Sequence, residues 1–174
     1  MQNSHQIYLS LGSNLGDRAA NLAHAVRLLS GIGVRVLRES SLYETEPVDF
    51  LDQPWFLNCA VEAETSFAPR ALLEGLQSIE RSLGTRKIVP RGPRLIDLDL
   101  LFYDAETIHE AEMEIPHPRL AERRFVLVPL AEIAPEFRHP VLQRTVAELL
   151  SDTKDRSEVR IWRPEPAPRM LSLK

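Results

Sequence analysis

Residues 95–103 read LIDLDLLFY, an apolar segment that carries two acidic residues at alternate positions. Successive side chains of a β-strand point to opposite faces, so the two acids share one face of such a strand. Four apolar side chains share the other face: Ile96, Leu98, Leu100 and Phe102. We therefore predict a strand whose apolar face packs against helices and whose acidic face, with Asp97 and Asp99, is available for chemistry.

Five segments upstream of this strand show a regular periodicity. Residues 7–12, 34–43 and 56–64 alternate as strands do, whereas residues 15–30 and 69–83 have apolar residues at helical spacing. The resulting order is strand, helix, strand, strand, helix, strand. This order is typical of a ferredoxin-like (split βαβ) α+β fold, in which both helices lie on one face of an antiparallel sheet. The other face of the sheet is then predicted to be free.

The pattern is less regular beyond residue 104, and we expect C-terminal additions to this fold there. We predict a short helix near 119–123, a strand or the start of a helix in FVLVPLAEI at 125–133, and a last helix around 143–151. Residues 1–160 are expected to form one domain. Residues 161–174 have three prolines within seven residues and are expected to form a loose C-terminal tail.

The composition excludes several classes of protein. The chain has 174 residues and a formal charge of −4, which argues against a protein that covers nucleic acid with a broad basic face. Its one cysteine, Cys59, cannot form an internal disulfide, and no apolar run reaches the roughly 18 residues of a membrane span. The first residues lack the pattern of a secretory signal. We expect a cytoplasmic monomer whose partners are small molecules, not nucleic acid or membrane.

The acidic pair and the basic segment before it indicate a polyphosphate ligand. Two residues apart in a strand, Asp97 and Asp99 have Cα atoms about 6.5 Å from each other and can share one or two Mg²⁺ ions. Residues 84–94, GTRKIVPRGPR, contain four cations and no acid: Arg86, Lys87, Arg91 and Arg94. Metal ions and guanidinium groups together neutralise phosphate oxygens. The structural alternatives are aspartates that pair with arginines and a charged loop that serves only solubility.

A second group of residues could hold a flat heterocycle. Phe56 and Asn58 lie on the face of the third predicted strand that is opposite the helices, and Phe125 lies in a later apolar segment. Two aromatic rings can stack on a planar ligand, and an asparagine amide offers one donor and one acceptor to its edge. His117 and Arg123 could add contacts to phosphate. The alternative is that both phenylalanines are core residues.

Five motifs follow one another along the chain: YLSLGSNLGDR (8–18), SSLYETEPV (40–48), DQPWFLN (52–58), RGPRLIDLDLLFY (91–103) and IPHPRLAERRFVLVPLAEIAPE (115–136). With these motifs, residues 7–150 resemble the 6-hydroxymethyl-7,8-dihydropterin pyrophosphokinase family of folate biosynthesis. The resemblance implies a ferredoxin-like fold and transfer of the terminal diphosphate of ATP to the hydroxymethyl group of the reduced pterin. It also implies release of AMP, in-line attack on the β-phosphorus, two Mg²⁺ ions and ATP as the co-substrate.

The resemblance also implies roles for individual residues by position. Asp97 and Asp99 would be the metal ligands and would act in catalysis with Arg94 and Lys87. Five residues would bind the pterin: Thr45, Val48, Phe56, Asn58 and Phe125. A larger set would bind ATP: Gln77, Glu80, Arg86, Lys87, Arg91, Arg94, His117 and Arg123. The basic segment departs from the family motif, which has Gly-Arg-x-Arg after the second helix and Arg-Trp before Gly-Pro-Arg.

Two other classes of protein fit parts of the pattern. Polymerase-palm and cyclase domains also place strand aspartates on a ferredoxin-like sheet, but they attack the α-phosphorus and release pyrophosphate. The product formed from ATP separates these two kinds of enzyme. An RNA-binding sheet of the RRM type would need the aromatic motif K/R-G-F/Y-G/A-F-V-x-F/Y, which the sequence lacks.

Overall fold

The computed structural model describes residues 3–85 and 90–166. The strands are β1 (His5–Ser13), β2 (Val34–Glu39), β3 (Tyr43–Thr45), β4 (Phe56–Thr65), β5 (Asp97–Tyr103), β6 (Ile108–Glu110), β7 (Met113–Ile115) and β8 (Val159–Ile161). The helices are α1 (Arg18–Leu29), α2 (Pro69–Ser82), α3 (Arg124–Ile133) and α4 (Val146–Asp152). Two short 3-10 helices span Ser30–Ile32 and Leu120–Glu122. The protein is therefore a mixed α and β structure.

The main sheet is antiparallel and has the order β5-β1-β4-β3-β8, and β2 pairs with the same edge of β4 as β3 does. Strands β6 and β7 form a separate two-stranded sheet. In the main sheet, Gly12 of β1 pairs with Asp97 of β5 on one side and with Asn58 of β4 on the other. This register brings the acids of β5 and the amide of Asn58 to the same end of the sheet.

Helices α1 and α2 cover one face of the sheet, as the alternation predicts. Asp17 caps α1 by accepting a hydrogen bond from the backbone N–H of Ala20 at 3.0 Å, and Pro69 occupies the first turn of α2. Residues of α1, α2, β1, β4 and β5 form a core that we call the first cluster, with Leu9, Leu22 and Leu76 at its centre. The predicted strand at 34–43 is divided into β2 and β3.

The prediction that the other face of the sheet is free is wrong. Helices α3 and α4 pack against it and form a second cluster with apolar residues of the strands, among them Tyr8 and Leu101. The segment at 125–133, which the sequence leaves open as strand or helix, is almost the whole of α3. Helix α3 is largely apolar and has to bury its side chains. It does so against this face of the sheet.

A bulge in β5 also changes which residues face the first cluster. Leu9 of β1 pairs with Leu100, but Tyr8 pairs with Phe102, so Leu101 is an extra residue in β5. The alternation shifts at this point, and Phe102 lies in the second cluster while Tyr103 lies in the first. The prediction that Phe102 faces the same helices as Leu98 and Leu100 is therefore wrong.

The C-terminal part is more tightly attached than the sequence predicts. The helices predicted near 119–123 and around 143–151 correspond to a 3-10 helix and to α4. Ile161, the first residue of the predicted loose tail, belongs to β8, and the N–H of Trp162 donates to the carbonyl of Leu42 at 2.8 Å. The prediction for residues 167–174 lies outside the described residues.

Within the described residues, no helix combines the length and apolar character needed to cross a bilayer.

Candidate active site

A cleft of about 210 Å³ opens at the end of the sheet where Gly12 lies between Asp97 and Asn58. Its walls contain all five residues predicted to bind the pterin: Thr45, Val48, Phe56, Asn58 and Phe125. They also contain both predicted metal ligands and four of the predicted phosphate ligands: Asp97, Asp99, Arg91, Arg94, His117 and Arg123. The structure thus brings together residues that are up to 80 positions apart in the sequence.

The amide of Asn58 is held rigidly at the base of the cleft. Asn58 is buried, and its Nδ2 donates a hydrogen bond to Oγ1 of Thr45 at 2.6 Å. A Cβ atom on Gly12 would lie 2.5 Å from Oδ1 of Asn58, so a side chain at residue 12 would displace the amide. Phe56 and Phe125 are only half-buried and both reach the cleft, which leaves their rings accessible to a ligand.

The acidic pair of β5 is short of positive charge. Asp97 forms an ion pair of 3.0 Å with Arg94, which agrees in part with the alternative that the aspartates pair with arginines. Burial, reinforced by the charges of Asp97 and Glu80, raises the pKa of Asp99 to about 7 even though Arg123 and Arg94 oppose the shift. Two carboxylates in an open cleft are the hard oxygen donors that Mg²⁺ takes together with water and phosphate oxygens. The residues present therefore fit a magnesium site.

Asn14 connects the basic segment before β5 with the segment that follows β3. Its backbone N–H donates to the carbonyl of Arg94, and its Oδ1 accepts from the backbone N–H of Arg94 at 2.9 Å. Its Nδ2 donates to Oε1 of Gln53 and to the carbonyl of Pro54. The pattern of the sequence predicts no role for Asn14 at the site, although the residue lies in the first of the five motifs.

His117 is a neutral residue of the cleft. Its backbone N–H donates to the carbonyl of Leu101, and its Nδ1 accepts from the backbone N–H of Arg119 at 3.2 Å. Burial and the charges of Arg123 and Arg119 lower the pKa of His117 to about 4, against the opposing charge of Asp97. A neutral imidazole whose Nδ1 accepts carries its proton on Nε2. His117 can therefore donate one hydrogen bond to an anionic ligand without adding a charge.

Comparison with known proteins identifies the family. The family model of 7,8-dihydro-6-hydroxymethylpterin-pyrophosphokinase (HPPK) matches residues 8–135. The chain belongs to this family. It is 46% identical over 157 residues to the 2-amino-4-hydroxy-6-hydroxymethyldihydropteridine pyrophosphokinase of Bacillus subtilis. The aligned residues make up 90% of this chain and 89% of that protein. The corresponding protein of Methylorubrum extorquens is 48% identical over 130 residues, which is 74% of this chain and 82% of that protein.

Some of the similar proteins are much longer than this chain. The folic acid synthesis protein of Pneumocystis carinii is 44% identical over 149 residues, which is 86% of this chain but 20% of that protein. A crystal structure of HPPK-DHPS in complex with substrates has a TM-score of 0.67 at 15% identity and covers 86% of this chain and 43% of that chain. This chain therefore spans about a fifth of the fungal relative and under half of the solved one. The structural similarity supports the HPPK fold alone.

A second cavity adjoins the cleft and extends toward α2. It has a volume of about 350 Å³ and shares Asp99 and His117 with the cleft. Its remaining walls combine three glutamates, Glu110, Glu112 and Glu114, with apolar residues of α2, β5, the β6–β7 sheet and the segment that follows it: Leu73, Leu98, Leu100, Ala111, Met113, Ile115 and Pro118. In this HPPK chain, the second cavity thus has four acidic side chains beside its apolar ones.

Four of the residues predicted from the HPPK motifs are not brought to the cleft walls by the described structure. Gln77 is exposed on α2, and Oε1 of Glu80 accepts a hydrogen bond from the backbone N–H of Leu98 at 2.9 Å. Arg86 and Lys87 lie outside the described residues. The ATP-binding roles of these four residues stay predictions.

Proposed function

We propose that this chain transfers the diphosphate of ATP to the hydroxymethyl group of 6-hydroxymethyl-7,8-dihydropterin, with release of AMP. The observation that carries this proposal is that one cleft combines a place for a flat ring, beside Asn58, with a place for a polyphosphate, beside Asp97 and Asp99. Membership of the HPPK family and the identity to named bacterial pyrophosphokinases support the same reaction.

The pterin would lie between the rings of Phe56 and Phe125, with one edge against the amide of Asn58. The hydrogen bond from Asn58 to Thr45 fixes the orientation of that amide, so its remaining donor and acceptor are presented in one direction. Backbone groups of Thr45 and Val48 would complete the contacts to the ring. The hydroxymethyl group of the substrate would then point toward the proposed phosphate ligands.

Asp97 and Asp99 would hold the Mg²⁺ ions, of which we propose two. Bound there, Mg²⁺ neutralises phosphate charge and favours the ionised form of the attacking hydroxyl. The two carboxylates would orient the triphosphate through these ions. They would attract a cation because the arginines nearby balance their negative charge only in part. Transfer of this kind depends mainly on positioning and on neutralisation of charge.

Cationic and neutral donors of the cleft would bind the triphosphate so that the β-phosphorus is in line with the attacking oxygen. Arg91, Arg94 and Arg123 line this part of the cleft, and His117 offers an uncharged donor. The nucleoside of ATP would extend into the second cavity, where the apolar residues of α2 and β5 would contact the purine. Gln77 and Glu80, the other predicted nucleotide contacts, lie on the same helix as Leu73, although neither lines the cavity.

We further propose that the fold is ferredoxin-like. The strands that correspond to the four predicted ones are ordered β5-β1-β4-β2 in the sheet, that is fourth, first, third and second. This order and the antiparallel pairing are what a split βαβ arrangement requires. A cytoplasmic monomer with one domain also remains our proposal.

The reaction can be tested by identifying the nucleotide product. Purified protein incubated with ATP, Mg²⁺ and the reduced pterin is expected to form AMP and the pterin diphosphate, which chromatography and ³¹P NMR distinguish from other products. Pyrophosphate as the product would instead support attack on the α-phosphorus. Asp97→Ala is expected to lower kcat about a hundredfold or more. Asp152→Asn, a change at an exposed acid of α4, is the control and should leave kcat unchanged.

A further inference from the structure

Three arginines converge on the carboxylate of Asp49, in the segment between β3 and β4. Nη1 and Nη2 of Arg119 each donate to one carboxylate oxygen at 3.3 Å. Nη1 of Arg91 and Nη2 of Arg123 lie 3.7 Å and 3.9 Å from the same two oxygens. Asp49, Arg91 and Arg123 line the cleft beside Asp97 and Asp99. An internal anion therefore lies among the cations of the proposed phosphate site.

The backbone at Asp49 adopts a conformation that side chains disfavour. Its φ is 66°, and the N–H of Phe50 donates to the carbonyl of Val48 at 2.8 Å, so Asp49 is the central residue of a γ-turn. Turns with positive φ at this position are rare and strained. The contacts of the carboxylate with the arginines offset this cost.

The three arginines carry more positive charge than Asp49 alone, and Arg119 also lies 3.9 Å from Oε2 of the exposed Glu122. Burial and the charges of Arg119 and Arg91 lower the pKa of Arg123, while Asp99 and Asp49 oppose that shift. Nε of Arg123 is buried and makes no hydrogen bond within residues 3–85 and 90–166. A phosphate group carries more charge and more acceptor oxygens than a carboxylate, so it satisfies several guanidinium groups better.

We propose that Asp49 is a positioning residue that occupies the place of a phosphate and is displaced when the nucleotide binds. This inference rests on the proposed function, because it requires the phosphates of ATP in the cleft. It adds Arg119 to the phosphate-binding residues. Displacement of Asp49 also releases the turn that joins Val48 to Phe50. Because Val48 is a proposed pterin contact, binding of the nucleotide changes the conformation of the proposed pterin site.

Asp49→Asn tests this inference because asparagine keeps the size of the side chain and, like aspartate, is enriched at positive φ, but it removes the charge. The dissociation constant of the α,β-methylene analogue of ATP with Mg²⁺, measured by calorimetry, is expected to fall about fivefold or more. Asp52→Asn makes the same charge change at an exposed residue of the same segment that does not line the cleft. It should alter the constant much less.

Arg119→Gln provides the second arm of the experiment. It is expected to weaken binding of the analogue and, in the double variant with Asp49→Asn, to reduce the gain that Asp49→Asn gives alone. If Asp49 has only a structural role, Asp49→Asn will bind the analogue more weakly than the wild type or equally well. Either result, with normal binding by the wild type, would overturn the inference. A wild-type protein that fails to bind the analogue would contradict the proposed function as well.

Discussion

At the scale of single residues, the proposed pterin side of the cleft depends on a close approach between β1 and β4. The Oδ1 atom of Asn58 occupies the space that a side chain on Gly12 would need, and Thr45 holds the amide in that position. The absence of a side chain at residue 12 therefore determines where the amide of Asn58 points.

Gly12→Ala is expected to raise the dissociation constant of the pterin about tenfold or more, because its methyl group forces the Asn58 amide away from Thr45. Binding of an ATP analogue should change much less. Fluorescence titration with the pterin and calorimetry with the nucleotide measure the two effects. Gly31→Ala is the control, since a Cβ atom there meets nothing within 4 Å. Equal effects on both ligands would contradict the assignment of Asn58 to the pterin.

Asp99 should make the stability of the metal-free protein depend on pH. Its pKa in the folded state is about 7, above the ordinary 3.8, so the folded state retains a proton that the unfolded state has lost. The stabilising contribution is complete below about pH 4 and is lost as the pH rises through 7. The Tm of the wild type should therefore fall relative to that of Asp99→Asn between pH 5 and 8.

Mg²⁺ provides the second readout for Asp99. At pH 8 it should raise the Tm of the wild type but not that of Asp99→Asn, because the ionised carboxylate binds the ion. Thermal unfolding followed by circular dichroism measures both effects. Parallel Tm curves for the two proteins over this pH range would contradict the raised pKa.

Alternation along two strands was sufficient to predict much of the candidate site. It places Asp97, Asp99, Phe56 and Asn58 on one face of the sheet, and all four line the cleft. The environment of Asp49 could not be predicted in this way. Its contacts join residues up to 74 positions apart, and no local period encodes a meeting of three loops.

At the scale of elements, the misassigned features arise where a local pattern has two structural solutions. The nine residues at 125–133 are too short for length to distinguish a strand from a helix, and the helix covers a face that was predicted to be free. The bulge at Leu101 inserts one residue in β5 and reverses the faces of Phe102 and Tyr103. Neither the helix nor the bulge can be predicted from its own segment alone, because each depends on the elements that pack against that segment.

The C-terminal strand braces the segment that carries the proposed pterin contacts. Glu44 of β3 accepts hydrogen bonds of 3.0 Å from Arg18 of α1 and from Arg160 of β8. Burial alone would raise the pKa of Glu44, but the hydrogen bonds from Arg160 and Arg18 keep it below its ordinary value. The guanidinium of Arg160 also lies 4.9 Å from the ring centroid of Trp55, and Arg18 donates to the carbonyl of Trp55. Both ends of the segment are thus fixed to neighbouring elements.

Arg160→Ala is expected to raise the dissociation constant of the pterin about threefold to fivefold, because it removes one ion pair and one cation–π contact at the ends of this segment. Affinity for the ATP analogue should remain within error. Titration of each ligand measures the difference, with Arg163→Ala as a control at an exposed arginine of the same C-terminal segment. A loss of affinity for the nucleotide alone would contradict the bracing role.

At the scale of the whole molecule, one sheet separates two apolar clusters that cannot form independently. Leu9 of β1 belongs to the first cluster and its neighbour Tyr8 to the second, so the same strands supply both. Leu76 of α2 and Leu127 of α3 are fully buried, one in each cluster. Loss of either cluster would expose one face of the shared sheet, which makes separate unfolding of the two halves unfavourable.

Leu76→Ala and Leu127→Ala should each lower the free energy of unfolding by about 2–5 kcal/mol, because each leaves a cavity in a closely packed cluster. Both variants are expected to unfold in one transition. Circular dichroism reports the helices of both faces, and fluorescence reports Trp55 and Trp162, so the two signals should have the same midpoint in urea. A variant in which fluorescence changes before the helical signal would show that one cluster unfolds alone.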